Sequence, residues 1–330
     1  MVQASRVIPK PGRFLTIMRQ ILSVPEVGVI VPLAILVAVF TLENKAMISP
    51  ANIATMLRSM SYTGIIVVGQ TFLIISGEID LSVGGVAALA SALSAVLMVN
   101  AGWSWQMAIL VTLLVGVLVG LFNGLIIVKL GVPAFVVTLG TMFAARGIGD
   151  ALTNGTYIYG LPKVLHQFGT ATPLGVNWSF WIFVGLVVVG DFVLRQTIFG
   201  SMVTATGGNK QAAQVAGINT DRVKIACFVL TSELAIISGL LSTAFMGTGD
   251  SHLAPGMELD TIASAVIGGA SLFGGVGTIL GTFLGTMMMQ VIRSGLIMAG
   301  INIDWQMVAV GTILAAAASL DLLRRRAKKY

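Results

Sequence analysis

Long apolar runs, separated by short polar or Gly/Pro-containing breaks, recur ten times along this chain. They fall at about residues 24–42, 53–77, 82–99, 105–128, 134–151, 178–195, 223–247, 259–272, 276–299 and 304–323. Most approach the ~20 residues that a helix needs to cross ~30 Å of hydrocarbon. None shows the ~10-residue alternation of a membrane barrel strand. The pattern predicts an all-α, polytopic membrane protein with about ten transmembrane helices. The eighth run is short, so a tilted, broken or re-entrant helix is expected there, because irregular backbone at that depth needs cover from protein or a water-filled cavity. Asn52 stands where an N-cap of the second helix would stand, and Gly131-Val132-Pro133 divides the fourth from the fifth. Two longer polar stretches remain, 153–177 and 196–222.

Composition agrees with the pattern. Apolar residues make up 56% of the chain and charged residues 10%, against ~25% charged in an ordinary soluble domain. The 39 glycines suit close helix packing in a bilayer. A lone Cys227 excludes an intramolecular disulfide, and His166 and His252 lie far apart in sequence. The net charge of +6 needs no nucleic-acid partner, because basic residues mark cytoplasmic loops. With both termini inside, that side collects a tail at 1–23, Lys129, Arg195, Lys210, Arg222, Lys224 and a basic tail at 324–330, while Lys45, Arg58 and Lys163 stay outside. The basic lead before residue 24 is followed by a spanning run and no cleavage site, so it does not read as a removable signal.

The order of features repeats. Runs two to five (53–151) laid over runs seven to ten (223–323) match Glu78-Ile79-Asp80 with Glu258-Leu259-Asp260. Asn123-Gly124-Leu125-Ile126 then meets Ser294-Gly295-Leu296-Ile297, and Gly140-Thr141 meets Gly311-Thr312. One half starts outside and the other inside, which predicts two inverted four-helix repeats, a recurrent transporter plan.

Candidate chemistry is sparse. Glu78, Asp80, Glu258 and Asp260 sit at helix junctions, where they serve either as caps on the helix dipole or as gates at the mouths of a pathway. Glu233, Arg146 and Arg293 lie inside runs, where charge is costly and invites a functional reading. For Glu233 the alternatives are a proton relay or structural pairing with Arg293, which could otherwise snorkel outward. Arg146 and Asp150 share i,i+4 spacing, as do Asp191 and Arg195. Gln70, Thr71 and Asn123, with Thr138, Thr141, Thr286 and Gln290, are uncharged polar residues within runs. They suit the lining of a path for a neutral, hydroxyl-rich solute, or hydrogen bonds between helices.

The stretch 196–222 is the more telling one. Gly207-Gly208-Asn209 reads as a turn, Lys210 to Ala216 as a short helix containing Ala212 and Ala213, and Gly217-Ile218-Asn219 as its stop. A structural connection has no need of such an element, which predicts a docking element for a cytoplasmic partner. No Walker-type phosphate loop, zinc-protease or serine-hydrolase motif occurs.

Three ordered motifs then resemble the permease subunits of ribose-type ABC importers. They are Gly77-Glu78-Ile79-Asp80-Leu81-Ser82-Val83-Gly84, the stretch Gly207 to Asn219, and Glu258 to Ala263 running into Gly268-Gly269-Ala270-Ser271-Leu272-Phe273-Gly274-Gly275. Ser294, preceded by Arg293, stands where that family often has Asn, and Ala270 where it has Thr. The resemblance covers about residues 45–325. It implies a single permease domain in the bacterial inner membrane, paired with itself or a paralogue and with lipid around it. Two ATP-binding subunits would engage residues 207–219, and a periplasmic or lipoprotein binding protein would deliver a sugar or small polyol. No cofactor and no catalysis in this chain are implied. The rival readings are a branched-chain amino-acid importer permease, a gradient-driven secondary transporter and, lacking any catalytic constellation, a membrane enzyme.

Overall fold

The computed structural model describes residues 27–327. The predicted tail at 1–23, the start of the first run and residues 328–330 lie outside them. Helix α1 covers Val27–Glu43, α2 Pro50–Ile75, α3 Val83–Ala95, α4 Trp105–Leu130, α5 Ala134–Thr153, α6 Lys163–Thr170 and α7 Trp178–Gln196. Then follow α8 Ile198–Gly208, α9 Lys210–Val215, α10 Thr220–Met246, α11 Met257–Ile267, α12 Ile279–Met298 and α13 Ile303–Ala327. Among the described residues the sole β contact is an isolated bridge between Ile158 and Gly249. Among the described residues the fold is all-α, and seven helical stretches are long and apolar enough to cross a membrane.

Local chemistry sets the helix ends. Ser49, not Asn52, caps α2: its hydroxyl accepts from the Asn52 amide, and Pro50 occupies the first turn, where a missing N–H costs nothing. Asn52 instead donates its side-chain amide to the Met47 carbonyl (2.8 Å) and accepts from the Ser294 hydroxyl (3.2 Å), tying the start of α2 to α12. Gly131 and Gly247 end α4 and α10 in the left-handed conformation, which glycine adopts without a Cβ penalty.

The packing centres on α2 and α10. They run antiparallel: Gly69 faces Thr231, the Ser238 hydroxyl donates to the Tyr62 carbonyl (2.7 Å), and Glu78 pairs with Lys224. Helix α4 is also antiparallel to α10, and Gly116, Gly120 and Gly124 form the contact. A Cβ on Gly120 would stand 2.5 Å from Val229 Cα, and one on Gly124 3.0 Å from Ile225 Cα. Small residues at four-residue spacing let two membrane helices approach this closely. Helix α12 lies along α2, where Thr71 donates to Thr282 (3.0 Å). Helix α3 packs on α5 and α10, and α11 packs on α13 and α2. Phe72, Phe183, Phe228 and Ile65 fill the middle of the bundle. Leu118, Phe122, Phe143 and Phe192 on α4, α5 and α7 face outward, as lipid-facing positions do.

The eighth run is short as expected: α11 has eleven residues, ~16 Å at 1.5 Å per residue, and it stops at Gly268-Gly269. Two departures from the sequence reading matter. The polar stretch 153–177 contains α6, and 196–222 contains α8 ahead of the expected short helix. Arg324 to Arg326 continue α13 rather than starting a tail. Both α3 and α11 follow non-helical segments, 76–82 and 247–256, that run back into the bundle.

Candidate functional site

One end of the bundle gathers the α2–α3 turn, the ends of α4 and α7, helices α8 and α9, and the α11–α12 loop. Lys129 lies 3.8 Å from Asp221 there, Glu78 pairs with Lys224, and Asp191 holds Arg195 at 2.9 Å. Helix α9 stands at this end. Asn209 caps it by accepting from the Ala212 amide (3.0 Å), and Gly217 stops it at φ +85°. Lys210, Ala212 and Ala216 are exposed, and Val215 is 90% exposed. Ala213 is turned inward and buried, so it anchors the helix. Gly207 and Gly208 belong to the last turn of α8. The exposed Val215 was missed in the sequence, because periodicity cannot say which side of a six-residue helix faces out.

A buried polar chain crosses the bundle above this end. Asp80 does not cap α3. Its Oδ1 accepts from the Ser82 amide (2.7 Å) and hydroxyl (2.5 Å) in a turn ahead of the helix. The Asn123 amide on α4 donates to the Ser82 hydroxyl (3.2 Å), and Thr141 on α5 donates to Asn123 (2.6 Å). Asp80 Oδ2 is buried without a partner. Burial pushes the Asp80 carboxyl up to about 6, against the opposing bonds from Ser82 and Asn123.

A second polar group lies between α2, α11 and α12. Asp260 is not a cap either: Gly256 holds that position, and Asp260 pairs with Arg293 across to α12. Met60, Thr63, Ser264, Thr286, Met289 and Gln290 complete the crevice, whose free volume is ≈ 10 Å³, room for about one water. The Ser264 hydroxyl and Asp260 Oδ1 are buried without partners. Arg293 therefore does not pair with Glu233, whose carboxylate lies against Gly116 with Oε1 unpartnered. Arg146 does not pair with Asp150 either. It donates to the Ala254 carbonyl (3.3 Å) beside Glu258, and Asp150 faces His252 at 3.8 Å. Thr138 spends its hydroxyl on the Ala134 carbonyl (2.9 Å), and the buried Gln70 amide has no partner. Sequence reasoning named Asp260, Arg293, Thr286 and Gln290 but missed Thr63 and Ser264, and it missed the grouping, since these residues lie far apart along the chain.

Among the described residues no cluster of three or more His, Cys, Asp or Glu could hold a metal. The family model described as "Branched-chain amino acid transport system / permease component" matches residues 52–318. The chain is 32% identical to the xylose transport system permease protein of Escherichia coli strain K12, over 85% of this chain and 87% of that protein. It is 34% identical to a ribose import permease protein of Haemophilus influenzae, over 94% of each. A probable ABC transporter permease protein of Escherichia coli strain K12 shares 38% identity over 90% of each. No solved structure matches. The chain belongs to this branched-chain amino acid transport system permease family and is a transporter subunit rather than an enzyme.

Proposed function

We propose that this protein is the membrane-spanning permease of a bacterial inner-membrane ABC importer that passes a pentose or similar small neutral polyol by alternating access. The exposed helix α9, with Val215 bare at the end richest in Lys and Arg, is the observation that carries the reading. Lone exposed apolar residues are ordinary on a surface, so it is the capped short helix as a whole that offers the docking element, and the positive-inside bias supports a cytoplasmic face for that end. The partners are two ATP-binding subunits at residues 207–219, a second permease copy or paralogue, and a binding protein on the opposite face. The matched xylose and ribose permeases support the substrate class. The neutral hydroxyl and amide groups of Thr63, Thr286 and Gln290 in the crevice suit it chemically, with Asp260–Arg293 as the closed gate beside them.

The inverted repeat belongs to the same proposal. Exchanging α2–α5 with α10–α13 turns the α2–α12 contact into α10–α4, the α2–α11 contact into α10–α3, and α3–α5 into α11–α13; each exchanged pair is in contact. In this scheme Glu78, in the non-helical entry to α3, corresponds to Glu258, in the first turn of α11.

The test is transport by purified permease in liposomes with its ATPase subunits and binding protein. Ala216→Trp should leave insertion intact, abolish uptake and free ATP hydrolysis from control by loaded binding protein. Normal uptake by that variant would remove the docking role from α9.

A further inference from the structure

Five glycines from three separate chain segments, Gly77, Gly207, Gly208, Gly274 and Gly275, meet just ahead of α9. A Cβ on Gly207, in the last turn of α8, would collide with the Ile75 carbonyl that ends α2 and stand 2.8 Å from the Gly275 amide. Gly274 and Gly275 take φ of +80° and +78°. A Cβ on Gly274 would stand 2.8 Å from the Gly207 carbonyl and 3.0 Å from Gly77 Cα; one on Gly275 would stand 2.6 Å from Gly208 Cα. The Gly275 amide donates to the Ile75 carbonyl (2.8 Å). Gly77 itself has φ +88°. Backbone therefore touches backbone with no side chain between.

Each strand of this knot leads to a different polar group in the core. From Gly77 the chain runs through Glu78 to Asp80 and its bonds with Ser82, Asn123 and Thr141. From Gly274 it runs back to α11, which carries Asp260 and Ser264. The same loop is fastened to α13, because Asp321 accepts from the Ser271 hydroxyl (2.9 Å) and the Leu272 amide (3.2 Å). From Gly208 the chain passes straight into α9. Side chains could yield at a joint by changing rotamer, whereas packed backbones transmit displacement, as closely packed protein interiors do.

We propose that this glycine knot is the mechanical joint of the importer: Gly207, Gly274 and Gly275 make a push on α9 move the 76–82 and 268–278 segments together, and so shift α3 and α11 at once. The inference rests on α9 being the ATPase contact. The knot glycines are positioning residues that act through the loops and touch no ligand.

The experiment compares matched glycines in the assembled transporter. Gly275→Ala and Gly131→Ala both place alanine at positive φ in a loop at the same end, but only Gly275 meets neighbouring backbone; Gly131 has nothing within 4 Å. Gly207→Ala and Gly185→Ala make the same comparison within helices, Gly185 being open. Gly275→Ala, outside the 207–219 contact, should retain ATPase binding and basal hydrolysis, and both Gly207→Ala and Gly275→Ala should lose uptake at least ~10-fold together with the stimulation of hydrolysis by loaded binding protein. The two controls should stay within ~2-fold of the unaltered protein. Uptake by the knot variants equal to that of the controls overturns the proposal. Should the knot variants fail to assemble, hydrogen exchange on the unaltered complex decides. Adding ATP should change exchange in 207–216, 76–82 and 268–278 together, and a change confined to 207–216 overturns the joint. Exchange in 207–216 that ignores the ATPase, or normal uptake by Ala216→Trp, would instead overturn the docking of α9, and the joint with it.

Discussion

Removing the Asp260 charge should be more damaging than its single hydrogen bond suggests. Asp260 is nearly buried, with 10% of its side chain exposed, and its partner Arg293 keeps 37%. Breaking a buried ion pair by deleting one partner costs about 3–5 kcal/mol, because the other charge is left uncompensated. Arg293 can recover part of its hydration through the crevice, so about 2 kcal/mol is expected for Asp260→Asn. For Arg293→Gln the stranded charge is the buried one, and about 3 kcal/mol is expected. At ~2 °C per kcal/mol for a chain of this size, the melting midpoints of the detergent-solubilised variants should fall by about 4 and 6 °C. In Asp260→Asn/Arg293→Gln no charge is stranded, and the double variant should melt no lower than the worse single one. The cycle then yields a favourable interaction of at least ~2 kcal/mol. Strictly additive losses would refute the reasoning, since they would mean that the two side chains do not stabilise each other.

Three further outcomes follow. Gly120→Ala sets a Cβ 2.5 Å from Val229 Cα, whereas Gly140→Ala meets nothing within 4 Å. The first should cost about 1–3 kcal/mol by overpacking and the second almost nothing, read as a difference in thermal midpoint. Asp80 gives a pH signature: with its carboxyl raised to about 6 from 3.8, the folded state holds the proton more tightly than the unfolded state. Its contribution is therefore fully present below about pH 4 and is lost as pH rises through 6, by up to about 3 kcal/mol. Asp80→Asn should flatten that slope between pH 4 and 7 in thermal melts. Finally, Thr141→Val leaves the Asn123 amide oxygen without a buried donor and should cost about 1–3 kcal/mol, with Thr138→Val, whose hydroxyl serves only its own helix, costing less.

The long spans were legible because ~20 apolar residues in a row have few other uses. The shortness of α11 was legible too, as a run too brief for one full spanning helix. Helices α6 and α8 were not, since each is short, mixed in character and held by neighbours rather than by its own periodicity. The Gly116-Gly120-Gly124 stripe is visible in the sequence, but which helix presses on it depends on how α10 lies across α4. The ionic pairings fared worst. Spacing of i,i+4 gave Asp191–Arg195 correctly and Arg146–Asp150 wrongly, because Arg146 reaches the chain at Ala254 instead. Asp260 and Arg293 are 33 residues apart, and only the lie of α11 along α12 brings them together. Asn52 and Ser49 show the same limit at close range: both are good capping residues, and the proline at residue 50 decides where the helix begins.

The whole account turns on which face of the membrane carries α9. Single cysteines at Asn209 and Thr170, in a variant lacking Cys227, would be challenged with a membrane-impermeant maleimide. Thr170→Cys should label in intact spheroplasts, and Asn209→Cys only in inside-out vesicles. Labelling of Asn209→Cys from the periplasmic side would contradict the ten-span inward arrangement and the ATPase contact built on it.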